Sequence, residues 1–384
     1  MVRTAGPGGR ACPPTARTAL SVRAFRSPPT TPRDRGYEFG GEFADEIGRN
    51  VAYYCDLFRV TGGLGDDDIT VLGAEAFEAT AAWAPDLADE IEAIAAGAGL
   101  TPELVAALNA RTEILGQCRA SDHECTVAVS LGPDGFPPVA IQTWDWHDAL
   151  ESGWLVWTVE HPSGRVVHTL TEYGIVGKLG VSSTGIGLLL NILRHDGDRG
   201  GGTPIHVITR RVLDEANDLS EALLLICSAE PSASSAMTLV AVEGAEKTAL
   251  TVEVWPGGPA YVLPNERGIL VHTNHFVDST AAAADQERVL GPDSFLRYEI
   301  VRRGLATATP TPGDVIRVLR SHLGGTGAVC CHPDPFAPLG ERYATLATIT
   351  VDVLAGTLDV HPGGPCSHPV NLTPTQEETW LPSS

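Results

Sequence analysis

Apolar residues in the first third of the chain recur at helical spacing. In the run that starts at Ala84, Leu87, Ile91 and Ile94 fall on one face. The pattern predicts helices over 38–57, 71–82, 84–97 and 102–116. Thr101, Pro102 and Glu103 open the last of these with an N-cap residue, a proline at the first helical position and an acid in the first turn. Beyond about residue 118 the texture changes. Short β-rich runs follow at 126–130, 139–144, 155–160 and 166–170, separated by turn signals at 132–135 and 162–164. A glycine-rich turn then feeds an apolar strand that ends in Asn191. Helices are predicted at 204–215 and 219–228, and strands at 237–242, 249–254 and 268–272. Helices at 282–305 and 312–321 precede a final strand pair at 345–354 and 357–360. Strands come in blocks and so do helices, which favours antiparallel sheets covered by helices over alternating βαβ units. No repeat of solenoid period is present.

Charge narrows the range of partners. The 384 residues carry 48 acidic against 26 basic side chains, a net charge of −22. Such a surface repels phosphate backbones and anionic membranes, so neither nucleic acid nor membrane is expected as a partner. No apolar run of about 18 residues offers a membrane span. Residues 1–35 are rich in Arg, Pro, Thr and Gly and lack the apolar stretch of a signal peptide, so they are expected to be a disordered leader. The eight cysteines are scattered along a long chain and form no disulfide framework. Reduced thiols and a cytoplasmic location are therefore expected. Rossmann, P-loop, zincin and Gly-x-Ser-x-Gly signatures are all missing from the sequence.

The chemistry concentrates in a few segments. Leu108 to Glu113 reads Leu-Asn-Ala-Arg-Thr-Glu and ends a helix. Glu124, Cys125 and Thr126 stand where a strand begins. Gln142, Thr143, Trp144, Asp145 and Trp146 end the next strand, so a hairpin-like return brings Asp145 to the same end of the sheet as Cys125. Asn191 ends a later strand, and His272, Thr273, Asn274, His275 and Phe276 form a polar cluster after another. Arg342 follows near the end of the chain.

In their order and spacing these segments, from about Gly36 to Val360, resemble the peptidase C45 family, the acyl-coenzyme A:6-aminopenicillanic acid acyltransferase-like branch of the N-terminal-nucleophile hydrolases. The resemblance implies an α+β fold, a four-layer αββα sandwich made as an inactive precursor that cuts its own chain before the nucleophile. On that pattern Cys125 attacks the Glu124 carbonyl. Residues 36–124 become a helical α chain and residues 125–384 the catalytic β chain of a heterodimer from one gene. Family members usually carry Gly before the cysteine, where this chain has Glu124. A thiol with a free pKa of about 8.5 needs a base near neutrality, and the freed α-amine of the same residue supplies one. By position, Asp145 resembles the acid that bonds the Cys α-amine. Asn274 resembles an oxyanion-hole donor, Asn191 a second one, and Arg342 a late active-site arginine. Related cholylglycine-type enzymes have an arginine where this chain has Gln142, which disfavours bile-salt-like substrates. The implied activity is hydrolysis or transfer at amide bonds of small acylated amines or amino acids. Acyl transfer from acyl-coenzyme A is an alternative, and an uncleaved, inactive binding relative is another.

Each residue also has a plainer reading. Cys125 fits a buried strand cysteine, Asp145 a strand cap, and Asn274 a turn residue. His272 and His275 have no third ligand near them in sequence and read as packing or hydrogen-bonding residues. Cys330, Cys331 and His332 with Cys366 and His368 fit no standard zinc spacing, and the resemblance offers neither metal nor cofactor, so none is expected. The tryptophans at 144, 146, 154 and 157 alternate at strand spacing and read as core.

Overall fold

The computed structural model describes residues 22–117, 125–306 and 310–369. Strand β1 (Ala24–Ser27) leads into six helices: α1 (Pro32–Glu42), α2 (Ala44–Gly62), α3 (Asp66–Trp83), α4 (Pro85–Ala98), α5 (Pro102–Asn109) and α6 (Arg111–Gly116). Leu87, Ile91 and Ile94 of α4 are buried as their spacing predicts. Six strands follow: β2 (Thr126–Ser130), β3 (Val139–His147), β4 (Trp154–Glu160), β5 (Val166–Glu172), β6 (Leu179–Ser182) and β7 (Ile186–Ile192). After α7 (Ile205–Glu215) and α8 (Leu219–Ser228) come β8 (Ser235–Glu243), β9 (Glu246–Trp255), β10 (Gly258–Val262) and β11 (Ile269–His272). Helices α9 (Glu287–Leu290), α10 (Asp293–Gly304) and α11 (Pro312–Leu319) precede β12 (Tyr343–Asp352) and β13 (Thr357–Pro362).

The strands form two sheets. One has eight strands in the order β1-β4-β5-β6-β7-β8-β9-β10, and the other has five in the order β11-β2-β3-β12-β13. Every pairing is antiparallel except β1 with β4. Helix α7 packs on β6 and β7, while α10 and α11 pack on β2, β3 and β11 of the smaller sheet. The alternation along β2 shows the layering. Val127 and Val129 point into the large core between the sheets, and Ala128 points into the cluster under α10 and α11. The result is a four-layer αββα sandwich, the layer order that the family resemblance implies. No helix among the described residues is long and apolar enough to cross a membrane.

Two expectations need correction. The leader expected over 1–35 does not extend over 22–35. Phe25 of β1 sits edge-on to Phe39 and Phe43, and the Trp157 indole N–H donates to Ser27 Oγ at 2.9 Å, so aromatic packing draws this stretch into the larger sheet. The single helix expected over 282–305 is broken. Gly291 and Pro292 interrupt it, and Asp285 accepts from the backbone N–H groups of Phe276 and Glu287 instead.

The Asn109–Glu113 stretch acts as a bracket between helices and sheet. Asn109 donates to the Val105 and Gly174 carbonyls and accepts from Val176 N. Gly174 turns there with φ of 93°, a conformation open to glycine. Arg111 forks onto Glu172, which also takes Lys178 Nζ and the Tyr54 hydroxyl. Burial alone would raise the Glu172 carboxyl, but the two cations and the hydroxyl hold it at about 2. Arg111 and Lys178 lie over the rings of Trp146 and Trp144 respectively, so this ion cluster braces the strand end that carries Asp145.

Glu113 ends the bracket by accepting the Ile205 N–H at the start of α7, at 2.8 Å. Burial outweighs that bond and the nearby Arg111, pushing the carboxyl up to about 7. Its folded-state value lies above the unfolded one, so folding takes up a proton. The stabilising contribution is complete below about pH 4.5 and is lost as pH rises through 7, a swing of about 3 kcal/mol. Glu113→Gln keeps the acceptor and removes the titration. Thermal melts of the two chains should diverge between pH 5 and 8, with the variant gaining at the alkaline end. Parallel curves would refute this assignment.

Candidate active site

Cys125 is the residue immediately before β2 and is 2% exposed. Thr126 pairs with Thr143, and Asp145 pairs with Thr345, so Cys125 and Asp145 share one end of the five-stranded sheet. The sequence-predicted hairpin return is therefore present. The two side chains leave on different faces. Cys125 belongs to the core between the sheets, whereas Thr143 and Asp145 alternate with Ile141 toward the helix side. Asp145 accepts the Thr345 hydroxyl at 2.5 Å, and Thr345 Oγ1 in turn accepts from Cys331 N at 2.9 Å.

Asn191 and Asn274 both reach the cysteine's surroundings. Asn191 Nδ2 donates to the Cys125 carbonyl at 2.8 Å across the gap between sheets. Gln142 fixes that register: its amide donates to Leu190 O at 2.8 Å and accepts from Leu190 N at 3.0 Å. Position 142 is thus a staple between the sheets rather than a charged substrate contact.

Arg297 of α10 was not anticipated from sequence. Its guanidinium donates to the Cys125 carbonyl at 3.2 Å, Thr126 Oγ1 at 3.1 Å and Asn274 Oδ1 at 2.9 Å. Asp293 balances it one helical turn earlier, at 3.2 Å. With its oxygen held by Arg297, the Asn274 amide directs Nδ2 to Ile192 O at 3.0 Å, while its backbone N–H donates to Ser294 Oγ at 2.8 Å. In sequence, Asp293 and Arg297 read as an ordinary i,i+4 pair on a solvated helix face. Only the fold turns that face inward.

The flanking histidines serve the same loop. His272 bonds Glu253 at 2.7 Å and the Thr273 carbonyl at 2.7 Å, and Glu253 also accepts from Val277 N and Asp278 N. His275 lies within 3.1 Å of the Thr273 and Ser294 hydroxyls. Burial, then His272 and Arg297, push its imidazole down to about 3. Arg342 stands apart from this group. It pairs with Asp148 at the rim of an open pocket lined by Tyr53, Ala149 and Gly340. Glu124 lies outside the described residues.

In its four αββα layers, the molecule has the class of fold of the N-terminal-nucleophile hydrolases. The chain belongs to the acyl-coenzyme A:6-aminopenicillanic acid acyl-transferase family, whose profile matches residues 131–365, more than half of the chain. Asp145, Asn191, Asn274 and Arg342 fall inside that match, and Cys125 lies just before it. The chain is similar to the 40 kDa form of the acyl-coenzyme A:6-aminopenicillanic-acid-acyltransferase of Emericella nidulans, at 29% identity over 269 residues, 70% of this chain and 73% of the relative. Among solved structures it is similar to a Caenorhabditis elegans ortholog of N-acylethanolamine-hydrolyzing acid amidase, with 13% identity and a TM-score of 0.41 over 60% of this chain and 93% of that one. It is also similar to penicillin V acylase from Agrobacterium tumefaciens, with 14% identity and a TM-score of 0.43 over 62% and 83% of the two chains.

Proposed function

We propose that this chain is a self-processing cysteine amidohydrolase and acyltransferase, with Cys125 as the nucleophile. The observation that carries the reading is the placement of Cys125: buried, at the opening of an inner strand, with its carbonyl held by Asn191 and Arg297. In the first step Cys125 Sγ attacks the Glu124 carbonyl carbon. The C–N bond breaks as the acyl group passes to sulfur, the proton of the thiol goes to the departing nitrogen, and water then hydrolyses the thioester. Residue 124 leaves as a carboxylate, and Cys125 keeps a free thiol and a free α-amine. In turnover that amine takes the thiol proton as sulfur attacks the carbonyl carbon of a small amide and hands it to the substrate nitrogen as the C–N bond breaks; the acyl group then passes from sulfur to water or to another amine, whose proton restores the thiol.

Asp145 orients the α-amine, a role supported by its place at the same end of the sheet as Cys125. Asn274 and Asn191 supply amide donors for the oxyanion, an effect of about 3–4 kcal/mol per donor in acyl transfer. Arg342 at its pocket rim is a contact for substrate beyond the reacting atoms. The relative's name specifies an acyl-coenzyme A donor, which favours thioesters as a second donor class.

The test is the intact mass of the denatured wild-type chain, followed by assay of amide and acyl-thioester donors. Two fragments divided before Cys125, with masses adding to 40.4 kDa plus one water, are expected. An uncut chain that turns over neither donor class would point instead to an inactive binding relative.

A further inference from the structure

On the outer, helix-covered side of the five-stranded sheet, three stretches of chain bring together His322, Cys330, His332 and Cys366. The first follows the end of α11, the second runs into Cys330 and His332, and the third is the turn Pro365–Ser367 after β13. One donor atom from each residue lies within 4.8 Å of all the others. His332 Nε2 is 3.1 Å from His322 Nε2, 3.6 Å from Cys366 Sγ and 3.9 Å from Cys330 Sγ.

Those separations can be compared with the edges of a metal tetrahedron. With Zn–N of about 2.0–2.1 Å and Zn–S of about 2.3 Å, tetrahedral edges are about 3.4 Å between nitrogens and about 3.6 Å between nitrogen and sulfur. The two imidazole nitrogens also aim at each other, an arrangement in which a single hydrogen can serve both, whereas one cation accepts both lone pairs. Two thiolates and two neutral imidazoles balance a divalent charge completely and suit a borderline-soft metal. The backbone is shaped for the approach. A Cβ added at Gly364 would stand 2.7 Å from Cys330 Sγ, so glycine lets the last turn come close. Arg320 clamps the same turn, donating to Pro365 O at 2.9 Å and His368 O at 2.7 Å.

We infer that His322, Cys330, His332 and Cys366 form a structural Cys2His2 zinc site. The sequence had placed Cys330, His332 and Cys366 in one candidate group but paired them with Cys331 and His368. Those two turn elsewhere: Cys331 Sγ faces the Thr326 and Tyr343 carbonyls, and the His368 ring packs on His361. Four protein ligands close the coordination sphere, so the ion holds the three stretches together and leaves no position for substrate. Binding exchanges two thiol protons for one Zn2+, and both protons go to solvent.

The test uses untagged full-length protein produced with added zinc and then desalted. Plasma mass spectrometry is expected to find about one zinc per chain, and the double variant His322→Gln, Cys366→Ser at least tenfold less. Circular dichroism on each preparation establishes that the fold is kept. Cobalt exchanged into the wild type should give the visible bands of a tetrahedral ion with thiolate charge transfer, and Cys330→Ser should lose about half of that charge transfer, one of the two thiolates being gone. If the double variant or Cys330→Ser does not fold, the wild-type zinc content and cobalt spectrum decide alone. A folded wild type that holds no more than a tenth of a zinc per chain and gives no such cobalt spectrum overturns the site. So does a Cys330–Cys366 disulfide, seen as the loss of two hydrogens in anaerobically purified protein. None of these readouts depends on the chemistry of Cys125.

Discussion

Chains carrying Cys125→Ala are expected to leave expression as one uncut polypeptide and to turn over no acyl donor above background. Deleting the nucleophile of an acyl-transfer enzyme costs on the order of a million-fold in kcat, because the step it opens has no substitute. The structure argues that this loss would be chemical. Cys125 is a small side chain in the core between the sheets, and its two described polar contacts are made through its carbonyl, which alanine retains. Removing one sulfur from that core costs about 1 kcal/mol, a shift of a few degrees in Tm for a protein of this size. Intact mass and a melt on the same sample therefore separate the two causes. If the alanine chain were still cut before residue 125, an outside protease would be making the cut and the self-processing proposal would fall.

Arg297→Met should have the next largest effect, and it should appear in two measurements at once. Asn274 keeps its oxygen toward the guanidinium at 2.9 Å, which turns Nδ2 to the Ile192 carbonyl at 3.0 Å. Without the arginine that amide loses the bond that holds its oxygen and keeps the one from Nδ2 to Ile192 O; with Asn274 as the oxyanion donor proposed above, the looser amide is expected to cost about 10²–10³ in kcat with a smaller change in KM. The same substitution removes the guanidinium from Asp293 and that donor from the Thr126 hydroxyl, a loss of about 1–3 kcal/mol in stability. Lysine at 297 should not rescue turnover, because one ammonium cannot address three acceptors in a plane. Asp293→Asn is the control. It removes the charge partner and leaves the fork, so it should lower Tm while keeping most of kcat. Equal kcat values for Arg297→Met and wild type would remove Arg297 from the positioning role.

How far the sequence could be read depended on whether the information was local. The helices of the first third carry their own periodicity and caps, and β2 and β3 carry their alternation, so the shared strand end of Cys125 and Asp145 follows from a hairpin alone. Asn191 and Asn274 were marked by strand ends and by the order of motifs. What could not be read comes from contacts between distant segments. Gln142 is an unremarkable polar residue until β7 lies across from it. Arg297 looks like a surface residue until α10 is packed on β2. His322 stands eight positions from Cys330 and has no meaning as a ligand until β13 brings Cys366 back. β1 escaped notice because four residues in a Pro- and Arg-rich stretch carry too little pattern, and because their partner, β4, lies about 130 positions downstream.

With the chain cut as proposed, that distant pairing of β1 with β4 changes what unfolding means. A cut before Cys125 leaves an edge strand of the larger sheet, and helices α1–α6, on a separate polypeptide from the strand they pair with and from most of the core they cover. Before the cut, those parts meet at the effective concentration of a single chain. After it, once separated, they meet only at the concentration of the solution. The precursor can refold alone, whereas the mature protein would refold by a second-order encounter that slows on dilution and competes with aggregation. Durability after maturation then becomes a matter of how slowly the assembled pair comes apart rather than of an equilibrium it can return to.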